Sequence, residues 1–129
     1  MEGDVKEQRD PLTHAVIGCA IDVHRILGPG LLESAYEECL AHERNQGGMR
    51  IERQLPIPIV YKDIKLDCGY RLDILVNDTV IVEIKAIESL LPVHEAQILT
   101  YLRFSRKHIG LLLNFNVPSL RQGMKRYIL

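Results

Sequence analysis

The seven residues "IGLLLNF" at 109–115 hold a single polar side chain, Asn114. A run this short and this continuously apolar is the pattern of a strand buried on both faces, since a half-solvated strand alternates apolar with polar residues. Such a strand needs cover on two sides and points to a sheet sandwiched between helices. The segment "TVIVEIKA" at 79–86 reads the same way except for Glu83 and Lys85. A buried charge costs several kcal/mol unless it is paired or bound to a metal, so these two residues need a reason to be there.

The rest of the chain supplies the cover. From Thr13, apolar residues recur at Val16, Ile17, Ala20, Ile21, Val23, Ile26 and Leu27, which is helical spacing. "GPG" at 28–30 stops that helix, because glycine accepts a left-handed cap and proline cannot continue the helix. A second helix is expected from Leu31 to Asn45, ended by "NQGG". The period then changes. "MRIERQLPIPIVYK" alternates but carries Pro56 and Pro58, so it suits only an edge or bent strand. With "IKLDCGYRLDILV" and the strand at 79–86 it reads as a three-stranded antiparallel meander, turning at Lys62-Asp63 and at Asn77-Asp78. Pro92 precedes a further helix, "HEAQILTYLRFSRK", and "VPSLRQGMKRYIL" reads as a closing turn followed by a helix or strand. The expected fold class is therefore α/β, a mixed sheet flanked by helices, with residues 1–12 a loosely attached arm and 13–129 one domain.

Asp73 interrupts the apolar stretch "YRLDILV", and the turn at Asn77-Asp78 folds it back along Glu83 and Lys85. Whether the acids meet depends on register. A two-residue loop sets Asp73 opposite Val82, whereas a three-residue loop, Asn77-Asp78-Thr79, or one bulge, sets it opposite Glu83. Two carboxylates beside a lysine suit magnesium or manganese, which take one or two protein carboxylates and bind phosphate oxygens. The lysine can orient a water or offset the charge that develops on the phosphorus centre.

Asp73, about ten residues, then Glu83-x-Lys85 resembles the PD-(D/E)XK nuclease superfamily, and "GLLESAY" at 30–36 resembles the signature of its small bacterial GxxExxY branch. The residue before Asp73 is Leu72, not the proline of the superfamily's name. The resemblance spans Thr13 to about Phe115 and implies a restriction-endonuclease-like α-βββ-α-β core with an extra N-terminal helix. It implies that Asp73, Glu83 and the Ile84 carbonyl hold the metal, that Lys85 is catalytic, and that Glu33 is the additional acid. Gln97 and Tyr101 in "AQILTYL" are similar to the QxxxY element of RecB-like nucleases and join Lys85 and Glu33 as catalytic candidates. The implied activity is magnesium-dependent phosphodiester hydrolysis, on DNA in preference to RNA. The alternative is an inactive nuclease-fold module that binds nucleic acid or a protein partner, and a homodimer is also admitted.

Blander readings compete at each position. Glu-x-Lys is common on solvated strand faces. Glu33 would also favour a helix N-terminus through the dipole, and a tyrosine at position 101 would serve equally as core. His94 reads as a helix-start or surface residue, while His14, His24, His42 and His108 lack metal-ligand spacing. Arg103, Arg106, Lys107 and His108, joined by Arg121, Lys125 and Arg126, form either a solvated helix end or a phosphate-binding rim. With a net charge of −1, nucleic acid would need such a local patch. Two phenylalanines and no tryptophan make no evident stacking platform for single strands. Three cysteines without CxxC spacing argue against a disulfide framework or a zinc site. No apolar run approaches a membrane span and the N-terminus is charged, so the expectation is a cytoplasmic protein without a membrane partner.

Overall fold

The computed structural model describes residues 10–43 and 48–129. Helix α1 (Pro11–Leu27) starts with proline in its first turn, and the Asp10 side chain accepts from both the Thr13 amide and the Thr13 hydroxyl. The helix therefore begins before Thr13, and the expected arm shrinks at its C-terminal end: Asp10, Pro11 and Leu12 are part of the fold, while residues 1–9 lie outside the described residues. Asp10 is further tied to Arg126 at 3.2 Å. Helix α2 (Glu33–His42) is shorter than the expected 31–45, and Asn45 to Gly47 of its expected stop signal lie outside the described residues.

The strands are β1 (Ile51–Pro56), β2 (Ile59–Tyr61), β3 (Ile64–Leu66), β4 (Arg71–Val76), β5 (Val80–Lys85), β6 (Ile109–Asn114) and β7 (Met124–Ile128), with α3 (Pro92–Ser105) between β5 and β6. The main sheet has the order β1-β4-β5-β6-β7. Its β5–β6 pair is parallel, bridged by α3, and the other neighbours are antiparallel, so the sheet is mixed as expected. The meander differs from expectation in one respect. Pro56 ends β1, and the chain leaves the sheet to form β2 and β3 as a separate two-stranded hairpin before returning as β4. Two prolines within three residues cannot donate ladder hydrogen bonds, and this ejects the intervening segment.

Two cores pack on the two faces. Val16, Ala20 and Val23 of α1 and Tyr36 and Leu40 of α2 cover Ile74, Val82, Ile84, Leu111 and Leu113. On the other face Leu75 and Ile81 meet Tyr101 and Leu102 of α3. Strand β6 is buried on both sides, which accounts for its unbroken apolar sequence. Helix α3 approaches it closely over Gly110, where an added Cβ would stand 3.0 Å from Ile98 and 3.2 Å from Leu102.

Candidate active site

Strands β4 and β5 pair as Ile74↔Val82, Leu75↔Ile81 and Val76↔Val80, joined by the three-residue loop Asn77-Asp78-Thr79. Asn77 and Asp78 take positive φ values of 48° and 56°, which these short polar side chains tolerate better than others. Continued one step, this register sets Asp73 opposite Glu83, the second of the two arrangements open from sequence.

At that step the sheet stops being regular. The β4–β5 ladder ends at Ile74↔Val82, and the β1–β4 ladder passes from Arg53↔Ile74 to Leu55↔Leu72 without a Gln54–Asp73 pair. The acids supply the missing acceptors. The Asp73 amide donates to Glu83 Oε1 at 3.2 Å, and the Ile84 amide donates to Asp73 Oδ2 at 2.8 Å. Both carboxylates are thus fixed between two strands by main-chain donors, which leaves them little freedom to separate.

Glu83 is almost completely buried, 3% exposed. Burial is the main reason its carboxyl is pushed up to about 9; the charge of Asp73 and a side-chain hydrogen bond with it add to the effect, while the Asp73 amide and Lys85 oppose it. Lys85 donates to Gln97 Oε1 at 3.0 Å, and Gln97 Nε2 donates to the Tyr101 hydroxyl at 3.0 Å. One turn of α3 therefore holds the ammonium through a two-bond chain. Among the described residues Lys85 forms no ion pair, so a structural Asp73–Lys85 salt bridge is not what keeps the two together. The Tyr101 phenol is raised by burial first and by the charge of Glu83 second.

Glu33 opens α2 and lines a recess of about 170 Å³ with Ser34, Glu37, Gln54, Asp73 and Ile84. Burial raises its carboxyl, Lys85 opposes that, and Asp73 reinforces it, so Glu33 shares the electrostatics of the site as well as standing at a helix start. Gln97 and Tyr101 do not line this recess. They line a different groove, and Gln97 accepts from Lys85.

The "GLLESAY" stretch has a local explanation. Tyr36 is fully buried, stacked on Phe115 with ring centroids 4.4 Å apart. Its hydroxyl donates to the Gly28 carbonyl at 2.7 Å and accepts from the Leu31 amide at 3.1 Å, which ties down the Gly28–Gly30 turn that delivers Glu33. Gly30, with φ of 100°, takes a conformation that side chains disfavour. Tyr36→Phe keeps the stack and strands both partners. A loss of about 1–2 kcal/mol is expected, a drop of roughly 3–8 °C in a thermal melt.

Some contributors carried no recognisable motif. Buried Glu37 accepts from Arg53 at 2.8 Å and from Gln54 at 2.6 Å, holding Gln54, at φ 53°, beside Asp73 in the recess. Buried Asn114 pairs in register with Lys85, accepts from the Ile87 amide and donates to the Ile87 carbonyl, fixing the chain as it leaves β5. A lone Asn ending an apolar run was the available signal for the latter. His94 accepts from the Leu91 amide, the helix-start role expected of it, and His24 is buried with its Nε2 against the Phe115 and Val117 carbonyls. Much of the basic cluster is committed: Lys107 to Asp78, Lys125 to Glu95 and Arg126 to Asp10.

Among the described residues no three His, Cys, Asp or Glu side chains gather as a metal-ligand set. The donors at hand are the Asp73 and Glu83 carboxylates with the main chain of Ile84, an oxygen set that fits magnesium or manganese, ions that keep several waters. Among the described residues, no helix is long and apolar enough to cross a membrane.

No curated protein and no solved structure matches the chain. The family model of the PD-(D/E)XK nuclease superfamily matches residues 10–127. With the match covering nearly the whole sequence and the mixed sheet bringing its acids and lysine together, the chain belongs to the PD-(D/E)XK nuclease superfamily.

Proposed function

We propose that the protein is a metal-dependent phosphodiesterase of nucleic acid, with DNA the preferred substrate, and that it belongs to the GxxExxY branch. One observation carries this reading: a nearly buried Glu83 is held against Asp73 at the point where the sheet ladder breaks, two residues from an ammonium positioned by Gln97. A carboxyl pushed up to about 9 is costly as structure and useful as a ligand, because a cation removes the cost. Asp73, Glu83 and the Ile84 carbonyl would hold magnesium or manganese, which when bound polarises a phosphate oxygen and makes a bound water more acidic.

The chain's own residues do the rest. Lys85, held by Gln97 and Tyr101, offers its ammonium to the attacking water or to the charge growing on the phosphate. Glu33, its carboxyl raised, lines the recess with Asp73 and is placed to hold or release a proton there. The Asp73 and Ile84 amides keep both carboxylates in place, so little reorganisation is needed during reaction.

The second reading is a binding module without cleavage. It is favoured by the absence, among the described residues, of a three-side-chain ligand set and by the pairing of much of the basic cluster. Incubating single- and double-stranded DNA and RNA with the protein across a magnesium and manganese titration separates the two. Product that forms with metal and disappears with chelator supports the nuclease; binding without product supports the module.

A further inference from the structure

We propose that the groove beside Gln97 and Tyr101 receives an unstacked nucleobase, which makes the substrate single-stranded at the cleavage point; this rests on the nuclease reading and specifies its substrate. The groove has a volume of about 340 Å³, within the ~300–1,000 Å³ of small-ligand sites, and lies between α3 and the β2–β3 hairpin. Its walls are Tyr70, Tyr101, Phe104, Ile59 and Leu66, with the polar Gln97 and Thr100 among them. Three of the seven Tyr and Phe side chains therefore meet here, although the overall aromatic content is low.

Continuity with the site identifies the occupant. Gln97 forms part of the groove wall and also accepts from Lys85 at 3.0 Å, so a phosphate at Lys85 has its own or its neighbour's base within reach of the groove. Tyr70 stands edge-on to Tyr101, ring centroids 6.4 Å apart, and is 48% exposed, leaving ring surface open to a planar guest. Arg103 lies over the Phe104 ring at 5.0 Å and puts a cation beside the groove for a flanking phosphate. The Gln97 amide and Thr100 hydroxyl can meet a base edge. A base inside a duplex has both faces covered by its neighbours and cannot enter, whereas a base in a single strand or an unpaired end can stack on a tyrosine.

The test uses the wild-type chain in chelator, where no cleavage can occur, and a single-stranded oligonucleotide carrying 2-aminopurine, a base whose fluorescence falls on stacking. Quenching on binding is expected, with at least about 10-fold weaker binding of the same sequence as duplex. Tyr70→Ala should weaken the single strand by roughly 5- to 150-fold and leave the duplex unchanged, since one base–aromatic stack contributes ~1–3 kcal/mol. Equal affinity for duplex, or indifference to Tyr70→Ala, overturns the proposal. So does concentration-dependent self-association that Tyr70→Ala abolishes, which would make a second copy the occupant. Tyr70-dependent binding by a protein that never cleaves with metal sustains the groove and removes the nuclease reading; metal-dependent cleavage indifferent to Tyr70→Ala does the reverse.

Discussion

Lys85→Ala is expected to lower metal-dependent cleavage by about 10²–10³-fold, the scale of removing one preorganised donor from a developing negative charge. The fold should tolerate the change. Among the described residues Lys85 forms no ion pair, and its amine bonds only to Gln97, so a melting temperature within about 3 °C of wild type is expected, corresponding to under ~1 kcal/mol. Metal binding should persist, because the carboxylates are held by the Asp73 and Ile84 amides and not by the lysine. Lys85→Arg should recover little, since a planar guanidinium does not reproduce a compact ammonium anchored on Gln97 Oε1. Single-turnover cleavage rates at saturating metal check this, and a Lys85→Ala protein as fast as wild type would remove Lys85 from the chemistry.

The second large effect is on stability. Glu83 titrates near 4.5 when the chain is unfolded and about 9 when it is folded. Between those values the folded state binds the extra proton, so the metal-free protein should lose stability as pH rises, by up to ~1.4 kcal/mol per pH unit. Below about 4.5 both states are protonated at this position and the effect vanishes. Glu83→Gln keeps the volume and an acceptor for the Asp73 amide but cannot ionise. Its melting temperature at pH 8 should therefore exceed that of the metal-free wild type by more than about 4 °C, and the pH slope should flatten. Magnesium acts in the opposite sense. With a Kd near 1 mM, 10 mM metal adds roughly 1.4 kcal/mol, or about 3–6 °C, to wild type and more at higher pH, and adds little to Asp73→Asn. Thermal melts across pH 5–9 at fixed ionic strength read all three proteins. A Glu83→Gln variant that melts lower than wild type at pH 8 would mean that the buried acid serves structure.

The layers and the mixed sheet are accessible from sequence because they rest on periodicity, whereas the meeting of Asp73 with Glu83 is legible only as one of two registers, decided by the length of one loop. Strand β6 announced its two-sided burial, and Asn77 and Asp78 announced the turn. What escaped depends on side chains distant in sequence. The separation of the β2–β3 hairpin needed the outcome at Pro56 and Pro58, which sequence marks as a disturbance without saying where the chain goes. The Glu37–Gln54 contact joins a helix to a strand across 17 positions, and neither residue belongs to a periodic pattern. The aromatic groove is not legible for a compositional reason: few aromatics suggest no such cluster, but Tyr70 from a loop and Tyr101 and Phe104 from α3 converge on it. The start of α1 at Pro11 is not legible because its polar cap, Asp10, ends a charged stretch without apolar periodicity.

A buried Glu83 and a half-buried Asp73 that serve together as a metal site must bind a metal, and manganese titrated into the chelator-stripped protein, followed by calorimetry or by loss of the free-ion electron paramagnetic signal, measures that without any substrate. One manganese per chain is expected for wild type and for Lys85→Ala, with binding lost in Asp73→Asn and in Glu83→Gln. No saturable manganese in the wild type, or an unaltered site in Asp73→Asn, would contradict the assignment of Asp73 and Glu83 as the metal centre.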